Sequence, residues 1–256
     1  MQNKFKKNFS IIIATNNSEN TIIDCLKSIK QQSFKNYEII IIDNCSSDKT
    51  IKLVKSFKFK KIKILIEKDK GIYDAINKGI KLSRGEIISI LHSDDKYYNK
   101  NVLKTVKSFF LKYNKLNAVY GDLVYVNRNN LKKIIRKWIP GEFIEESFFY
   151  GWNPPHPTFF VKRKIYNKYG LYNQKLGNPA DIELMFRYLY QKKINYRYIN
   201  KFLILMRYGG ESNKSFLNIV NQNIKILSIL KIEKNLFKVI CFIYGKLINR
   251  LSQFIK

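Results

Sequence analysis

The first half of the chain alternates short, continuously apolar runs with segments whose apolar residues recur at helical spacing. Uninterrupted runs are typical of strands that are buried on both faces of a sheet. Alternation of strands with helices predicts right-handed crossovers, and hence an α/β fold with a mostly parallel sheet and helices on both faces. We predict strands at 9–14, 37–43, 61–67 and 86–91, and helices near 22–29, from Ser46-Ser47-Asp48 onward, over 72–82 and near 102–111.

The second half of the chain has a different pattern. Residues 118–126 and 132–138 flank the letters NRNN and predict a hairpin. The proline-rich stretch WNPPHPTFF predicts a loop that leads into a strand at 158–161. A short helix is predicted over 182–190, entered through Pro179-Ala180-Asp181.

From Phe216 onward, apolar residues again recur at helical spacing, with lysine and arginine between them. We therefore predict one domain over 1–214 and a basic amphipathic helical tail over 215–256. Such a tail can lie in a membrane interface, pack on the domain, or pack against a second subunit.

Composition limits the classes of protein to which the chain can belong. Its 256 residues suffice for one α/β domain with an appendage. No early stretch fits a signal peptide, and no run approaches the roughly 20 apolar residues of a membrane span, so we expect a cytoplasmic protein. Cys25, Cys45 and Cys241 are scattered and form no CxxC pair, which is typical of reduced thiols.

The chain is strongly basic, with 48 Lys+Arg, 19 Asp+Glu and a formal net charge of +29. Charge alone favours nucleic acid or an anionic membrane as a partner. The lysines mostly interrupt apolar positions at helical spacing, as on a solvated face, and no nucleic-acid-binding signature accompanies them. We expect no nucleic acid partner, and we keep a basic nucleic-acid-binding protein as an alternative. A positive surface also suits the negative, cytoplasmic face of a membrane.

Polar residues follow each of the four predicted strands of the first half. Ligands of an open parallel sheet bind at the carboxyl ends of the strands, so these segments are expected to form one site. The adjacent acids Asp94 and Asp95 repel each other unless a positive group joins them. The four segments are Thr15-Asn16-Asn17, Asp43-Asn44-Cys45-Ser46, Asp69-Lys70-Gly71 and His92-Ser93-Asp94-Asp95.

The residue types at this edge indicate which ligand they would take. The chain has no GxGxxG after its first strand and no GxxxxGK[ST], which argues against a dinucleotide oxidoreductase and a P-loop phosphotransferase. Carboxylates without a Cys or His cluster suit Mg²⁺ or Mn²⁺, with substrate phosphates as further ligands. A sugar nucleotidyltransferase is a second alternative, but it normally has a Gly-rich, basic N-terminal loop, and ATNNSEN is not one.

Four stretches together resemble the inverting glycosyltransferases of family 2, which have the GT-A fold. In order, they are FSIIIATNNSENTIIDCLKSIKQQSFKNYEIIIIDNCSSDKT, EKDKGIYDAINKGIKLSRGEIISILHSDD, HPTFFVKRKIYNKYGLYN and ADIELMFRYL, and they cover roughly residues 9–190. The resemblance implies transfer of a sugar from a nucleoside diphosphate sugar, with a UDP-sugar favoured, to a saccharide or lipid-linked saccharide acceptor. The most similar subgroup builds bacterial capsule, exopolysaccharide or lipopolysaccharide.

The same resemblance implies roles for individual residues on the donor side. Asp95 is the first choice as ligand of a divalent metal, and Asp94 contacts the ribose or the metal. Many relatives have an acid at the position of His92, so this departure leaves open which carboxylate is the direct ligand. The residues implied in binding the nucleotide sugar are Thr15, Asn17, Asp43, Lys70, Gly71, Asp74, Asn77 and Asp94.

The acceptor side is implied by the last two stretches. Inversion needs a base beside the acceptor hydroxyl, opposite the leaving diphosphate. The resemblance places this base at Asp181, which is also a good N-cap for the helix that follows. Glu183 is a weaker candidate, because it lies further into the helix. His156 and Trp152 are expected near the acceptor, with structural roles open for both.

Overall fold

One mixed β-sheet of nine strands forms the centre of the computed structural model, which describes residues 8–209 and 216–255. The sheet order is β3-β2-β1-β4-β8-β6-β9-β5, with β7 paired to β6. The strands are β1 Phe9–Thr15, β2 Tyr37–Asp43, β3 Ile62–Ile66, β4 Ile87–Ile90, β5 Lys96–Tyr97, β6 Ala118–Val126, β7 Ile134–Trp138, β8 Phe160–Lys162 and β9 Tyr196–Arg207.

The sheet has a parallel part and a mixed part. Strands β1 to β4 pair only in parallel with one another, and β6 pairs in parallel with β9. The pairs β4–β8, β6–β8, β6–β7 and β5–β9 are antiparallel. The predicted α/β class with a largely parallel core sheet is therefore confirmed, and so is the predicted hairpin of β6 and β7.

Both faces of the parallel part are covered, which explains its continuous apolar runs. Ile12 and Ile40 pack into one core cluster with helix residues such as Ile76. Ile11 and Ile39 point to the other face and pack with Leu26 and its neighbours. Successive strand residues face opposite sides of a sheet, so a strand that is covered twice needs apolar residues at every position.

The predicted helices of the first half form close to their predicted positions, and the one over 72–82 forms with those bounds. The one that we expected from Ser46 begins later, at Thr50, because Ser46 is instead bound to Asp43 in the preceding loop. The α-helices are α1 Ile22–Lys30, α2 Thr50–Ser56, α3 Ile72–Leu82, α4 Val102–Lys112, α5 Arg163–Tyr169, α6 Ala180–Phe186, α7 Phe216–Leu230 and α8 Leu236–Ile255.

The segment that carries Asp181 differs from its prediction. Helix α6 begins at Ala180, and its N-cap residue is Pro179. Asp181 therefore lies in the first turn rather than at the cap, and its Oδ1 accepts a hydrogen bond from the N–H of Ile182 at 2.7 Å. The helix continues as a π-helical turn, Arg187–Gln191.

The tail forms two helices, and α8 packs on the domain against β7 and the 3₁₀-helix Ser147–Tyr150. A Cβ at Gly245 would lie 2.2 Å from the carbonyl oxygen of Tyr150, so only glycine permits this close approach. The predicted boundary near 214 falls outside the described residues. Within them, no helix combines the length and the apolar character needed to cross a membrane.

Candidate active site

Hydrogen bonds join the loops after β1 and β2 at the carboxyl edge of the sheet. The hydroxyl of Thr15 donates to Oδ1 of Asp43 at 2.6 Å, and the N–H of Ser46 donates to Oδ2 at 2.8 Å. Asn17 accepts from the N–H of Ser47 at 2.9 Å. Asp43 is fully buried, so its visible role is to hold the two loops together. A contact from Asp43 to a nucleotide stays a prediction.

The other two strand ends are joined to the same network. The hydroxyl groups of Ser18, after β1, and Ser93, after β4, lie 2.9 Å apart. The N–H of Asp69, after β3, donates to the side-chain oxygen of Asn44, after β2, at 3.0 Å. The four polar segments that the sequence predicts to converge therefore form one continuous edge.

Lys70, Gly71 and Asp74 shape the entry into α3. Gly71 has φ of +110°, a backbone conformation that residues with a Cβ rarely adopt. The carboxylate of Asp74 accepts from the N–H of Lys70 at 3.0 Å, and this bond, with Lys78 nearby, holds the pKa of Asp74 below its usual range. Asp74 thus fixes the turn, while the side chain of Lys70 is exposed at the edge.

Asn77, which the resemblance implies in binding the nucleotide sugar, is bound to backbone within the protein. It is 4 % exposed, its side-chain NH₂ donates to the carbonyl of Tyr172 at 2.9 Å, and its oxygen accepts from the N–H of Tyr172 at 3.1 Å. Both ends of the amide are bound to backbone, so Asn77 joins α3 to a loop, and a contact from Asn77 to a nucleotide stays a prediction.

The two adjacent acids after β4 lie in different environments. Asp94 is partly exposed, and its Oδ2 lies 3.8 Å from a guanidinium nitrogen of Arg128. Asp95 is fully buried, and neither of its carboxylate oxygens has a hydrogen-bond partner among the described residues. Burial, and then the charge of Asp94, raise the pKa of Asp95 well above its usual range, while Arg207 opposes this rise.

His92 connects this edge to the helix that carries Asp181. Its Nε2 lies 3.0 Å from Nε2 of His156, and Nδ1 of His156 lies 3.1 Å from Oδ2 of Asp181. Burial, and then His156, lower the pKa of His92 to about 4, so His92 is neutral at pH 7. A consistent proton arrangement has His92 donating to His156, and His156 donating to Asp181.

Glu183 is less available than Asp181. Its two oxygens accept from Nε and Nη2 of Arg187 at 2.7 and 3.0 Å. Arg187 also donates to the carbonyls of Tyr169, Gly170 and Leu171. This network holds the loop after α5, and it leaves Asp181 as the carboxylate of α6 that faces the site.

Asp181 and His156 open onto a pocket of about 260 Å³. Trp152 lines the pocket, stacks on Phe143 at 5.3 Å between ring centroids, and donates from Nε1 to the carbonyl of Pro140 at 2.7 Å. The opposite wall comes from β7 and the tail helices, which supply Arg136, Gln222, Ile226, Lys246, Asn249, Arg250, Ser252 and Gln253.

Two features of this site were missed in the sequence. The first is the pairing of His92 with His156, which are far apart in the chain. The second is Arg207, which is 4 % exposed and donates to the backbone oxygen of Asp94 and the carboxylate of Asp24, each at 2.5 Å. The only signal for Arg207 is its place at the end of β9, a strand that the sequence pattern did not predict.

Comparisons with known proteins agree on one family. The profile described as "Glycosyl transferase family 2" matches residues 10–171. Curated relatives include proteins from Mycobacterium bovis and Mycobacterium tuberculosis described as "PGL/p-HBAD biosynthesis glycosyltransferase". Each is 28 % identical over 209 residues, which cover 80 % of this chain and 79 % of the relative.

Solved structures share the fold at lower sequence identity. TarS from S. aureus, residues 1–349 in complex with UDP-GlcNAc, has a TM-score of 0.67 and 18 % identity, with 93 % of this chain and 79 % of that chain covered. The mannosyltransferase PcManGT from Pyrobaculum calidifontis, in complex with GDP-Man and Mn²⁺, has a TM-score of 0.62 and 15 % identity, with 98 % and 73 % covered. The profile match extends over more than half of the chain, and the fold agrees with it; the protein belongs to glycosyl transferase family 2 and is a glycosyltransferase.

Proposed function

We propose that this glycosyltransferase transfers a sugar, with inversion, from a nucleoside diphosphate sugar to a glycan or lipid-linked acceptor in bacterial surface polysaccharide biosynthesis. A UDP-sugar is the favoured donor. The observation that carries the proposal is the position of Asp181. Its carboxylate faces a pocket, and two histidines join it to the strand-end edge where carboxylates and loop hydroxyls converge.

Asp181 acts as the general base. It takes the proton of an acceptor hydroxyl while that oxygen attacks the anomeric carbon, and the bond from this carbon to the diphosphate oxygen breaks. The bonding electrons leave with the diphosphate, and attack from the opposite face inverts the anomeric carbon. The N–H of Ile182 and Nδ1 of His156 hold the two carboxylate oxygens in place.

Donor binding is assigned to the edge formed by the loops after β1 to β4. Thr15, Asn17 and Asp43 keep the first two loops in register through hydrogen bonds. The exposed Lys70 offsets part of the diphosphate charge, and the backbone at Gly71 leaves room for it. Every buried carboxylate oxygen of Asp43 has a partner, so this loop is preorganised for a ligand.

The acids after β4 fit a hard divalent cation, Mn²⁺ or Mg²⁺. Carboxylate oxygens are the ligands that these ions prefer, and those of Asp95 have no partner of their own among the described residues. The partly exposed Asp94 is the better direct ligand, with Asp95 behind it, which reverses the order expected from the sequence. When bound, the ion supplies positive charge that stabilises the leaving diphosphate.

The tail supports peripheral contact with the cytoplasmic face of a membrane. Helix α8 has no Asp or Glu, and its side chains Phe237 and Tyr244 are 74 % and 65 % exposed. An apolar helix face with basic neighbours suits an anionic interface. The large apolar residues exposed along α8 are Leu236, Phe237, Ile240, Ile243, Tyr244, Leu247, Ile248, Leu251 and Phe254.

A flotation assay tests the membrane contact in the full-length chain. We expect vesicles with anionic lipid to carry the protein upward, and the double variant Phe237→Ser, Ile240→Ser to stay below. Neutral vesicles are the control for charge. Equal flotation of both proteins on anionic vesicles would contradict the membrane contact.

Proton NMR tests the proposed reaction, with water as a slow acceptor. The protein is incubated with Mn²⁺ and UDP-GlcNAc, UDP-glucose or GDP-mannose, and the first sugar released is examined. We expect one donor to give the anomer opposite to its own, before mutarotation mixes the two. Release of the retained anomer would contradict inversion.

A further inference from the structure

The pocket beside Asp181 has a strongly cationic wall. Four of its lining residues carry positive charge, namely Arg136, Arg207, Lys246 and Arg250, and Asp181 is its one carboxylate among the described residues. Arg207 is committed to Asp24 and to backbone oxygens. The other three form no salt bridge with a carboxylate in the described part of the chain.

The position of Lys246 is unfavourable for its charged ammonium group. Lys246 comes from α8, is partly buried, and donates to the side-chain oxygen of Asn223 at 2.6 Å. Burial, and then the charge of Arg250, lower the pKa of Lys246 to about 8, and Asp181 offsets this only in part. A buried cation without a paired anion is unfavourable unless a ligand supplies the anion.

Arg136 likewise has too few partners for its guanidinium group among the described residues. It is 8 % exposed, donates to Gln253 at 2.7 Å from Nη1, and lies over the ring of Tyr125. Its Nε lies buried without a hydrogen-bond partner within the described ranges of the chain. Arg136 lines the pocket without a carboxylate partner in the described part of the chain, and an anionic group of a ligand in the pocket would supply one.

We propose that this wall, with Lys246, Arg250 and Arg136, is an acceptor subsite that binds a phosphate group of the acceptor. The inference rests on the proposed function, because it takes Asp181 as the base that acts on an acceptor hydroxyl. It adds that the acceptor carries a phosphate group and that residues of the tail bind this group.

The wall suits the acceptor rather than the diphosphate of the donor. None of the residues assigned to the nucleotide lines this pocket, which instead lies beyond Asp181 and His156. Lys246 and Arg250 are on α8, between the pocket and exposed apolar side chains such as Leu247 and Leu251. A phosphate held in the pocket can therefore have an apolar chain attached that lies along the helix.

The two tryptophans of the chain give a local probe, because Trp138 and Trp152 both line this pocket. Octyl phosphate is titrated into the full-length protein while tryptophan fluorescence is followed, and octanol is the matched ligand without a phosphate. We expect a saturable change with octyl phosphate and at least about tenfold weaker binding of octanol, since a charge-assisted bond is lost.

Substitutions test which residues bind the phosphate. We expect Lys246→Met and Arg250→Gln each to weaken binding of octyl phosphate about tenfold, and Lys238→Gln, on the same helix outside the pocket, to have no effect. Arg250 is exposed, so its variant keeps the fold. Equal affinities for octyl phosphate and octanol, or unchanged affinity in both pocket variants, would overturn the proposal.

A competition experiment distinguishes a phosphate of the acceptor from the diphosphate of the donor as the group that this wall binds. With Mn²⁺ and saturating UDP present, we expect octyl phosphate to bind with unchanged affinity, and displacement by UDP would reassign the wall to the donor and overturn the subsite. UDP–Mn²⁺ binding is measured separately by thermal shift. If UDP fails to bind while octyl phosphate does, the proposed function fails and the anion site stands.

Discussion

The edge formed by β1 to β4 and the wall formed by β7, α7 and α8 differ in how their polar groups are satisfied. At the edge, the carboxylate of Asp43 and the side chain of Asn17 have partners within the protein. At the wall, Lys246 lacks a carboxylate partner, and the Nε of Arg136 lacks a hydrogen-bond partner, among the residues that the structure describes. Groups with shifted pKa values, and polar atoms without hydrogen-bond partners, concentrate where a ligand completes the site. The edge is thus preformed apart from Asp95, whose carboxylate oxygens lack partners among the described residues and suit a cation, whereas the wall lacks an anion.

Asp181 lies where these two regions meet, and its loss should have the largest effect. We expect Asp181→Asn to lower turnover by about a thousandfold or more, since an amide cannot accept the acceptor proton. Binding of the donor should be unchanged, because the edge is intact. Glu183→Gln is the control: it weakens the contact with Arg187 and should lower thermal stability more than turnover. A larger loss of turnover for Glu183→Gln than for Asp181→Asn would exclude Asp181 as the base.

The edge can be tested through its two acids. We expect Asp94→Asn to weaken Mn²⁺-dependent binding of UDP by about tenfold to a hundredfold, because one charged ligand of the ion is lost. Asp95→Asn should weaken it less, because Asp95 is buried behind the edge. Titration of Mn²⁺ followed by electron paramagnetic resonance measures both. A larger loss for Asp95→Asn would restore the assignment expected from the sequence.

His156 links the two regions, and its effect should be intermediate. We expect His156→Ala to lower kcat by about tenfold and to leave the KM for the donor unchanged, because the imidazole contacts Asp181 and His92 and none of the residues assigned to the nucleotide. His156→Asn, which keeps a donor near the carboxylate, should recover part of the loss. A change in donor KM alone would indicate that His156 belongs to the edge.

Lys246 should have the smallest effect on turnover at saturating acceptor, and the stability of the free protein gives a separate test of its burial. Its pKa of about 8 in the fold lies below the unfolded value of about 10.4. The folded state therefore binds the proton less well, so protonation of Lys246 lowers the free energy of unfolding. This loss of stability is complete below pH 8, falls between pH 8 and 10.4, and vanishes above. We expect Lys246→Met to stabilise the free protein by about 2 kcal/mol at pH 7, and by much less at pH 10.5. Urea unfolding at both pH values measures this difference.

The same comparison separates what the sequence predicts from what it does not. The strands and helices of the parallel part have local patterns, namely apolar runs and helical spacing, so their order and most of their bounds can be predicted. Strand β9 has the mixed letters YRYINKF before its apolar end, and it is held as a strand by pairing along β6. Its position depends on a partner more than 70 residues away, which no local pattern records.

The candidate site residues also divide into those that the sequence predicts and those that depend on distant segments. Thr15, Asp43 and Asp94 could be predicted to converge because the ends of parallel strands meet at one edge. The contact of His92 with His156 depends on how the loop before β8 folds back over β4. The burial of Asn77 and the placement of Lys246 depend on packing between distant segments, so neither could be predicted.

Thermal unfolding with a panel of nucleotides tests the central claim most directly. The protein is heated with UDP, GDP, UTP or none, each with and without Mn²⁺. We predict that one nucleoside diphosphate raises the melting temperature by several degrees with Mn²⁺, as a ligand at about a hundred times its Kd adds roughly 2.7 kcal/mol. The rise should fall by about half or more in Asp94→Asn. No stabilisation by any diphosphate, or stabilisation by UTP alone, would contradict the account.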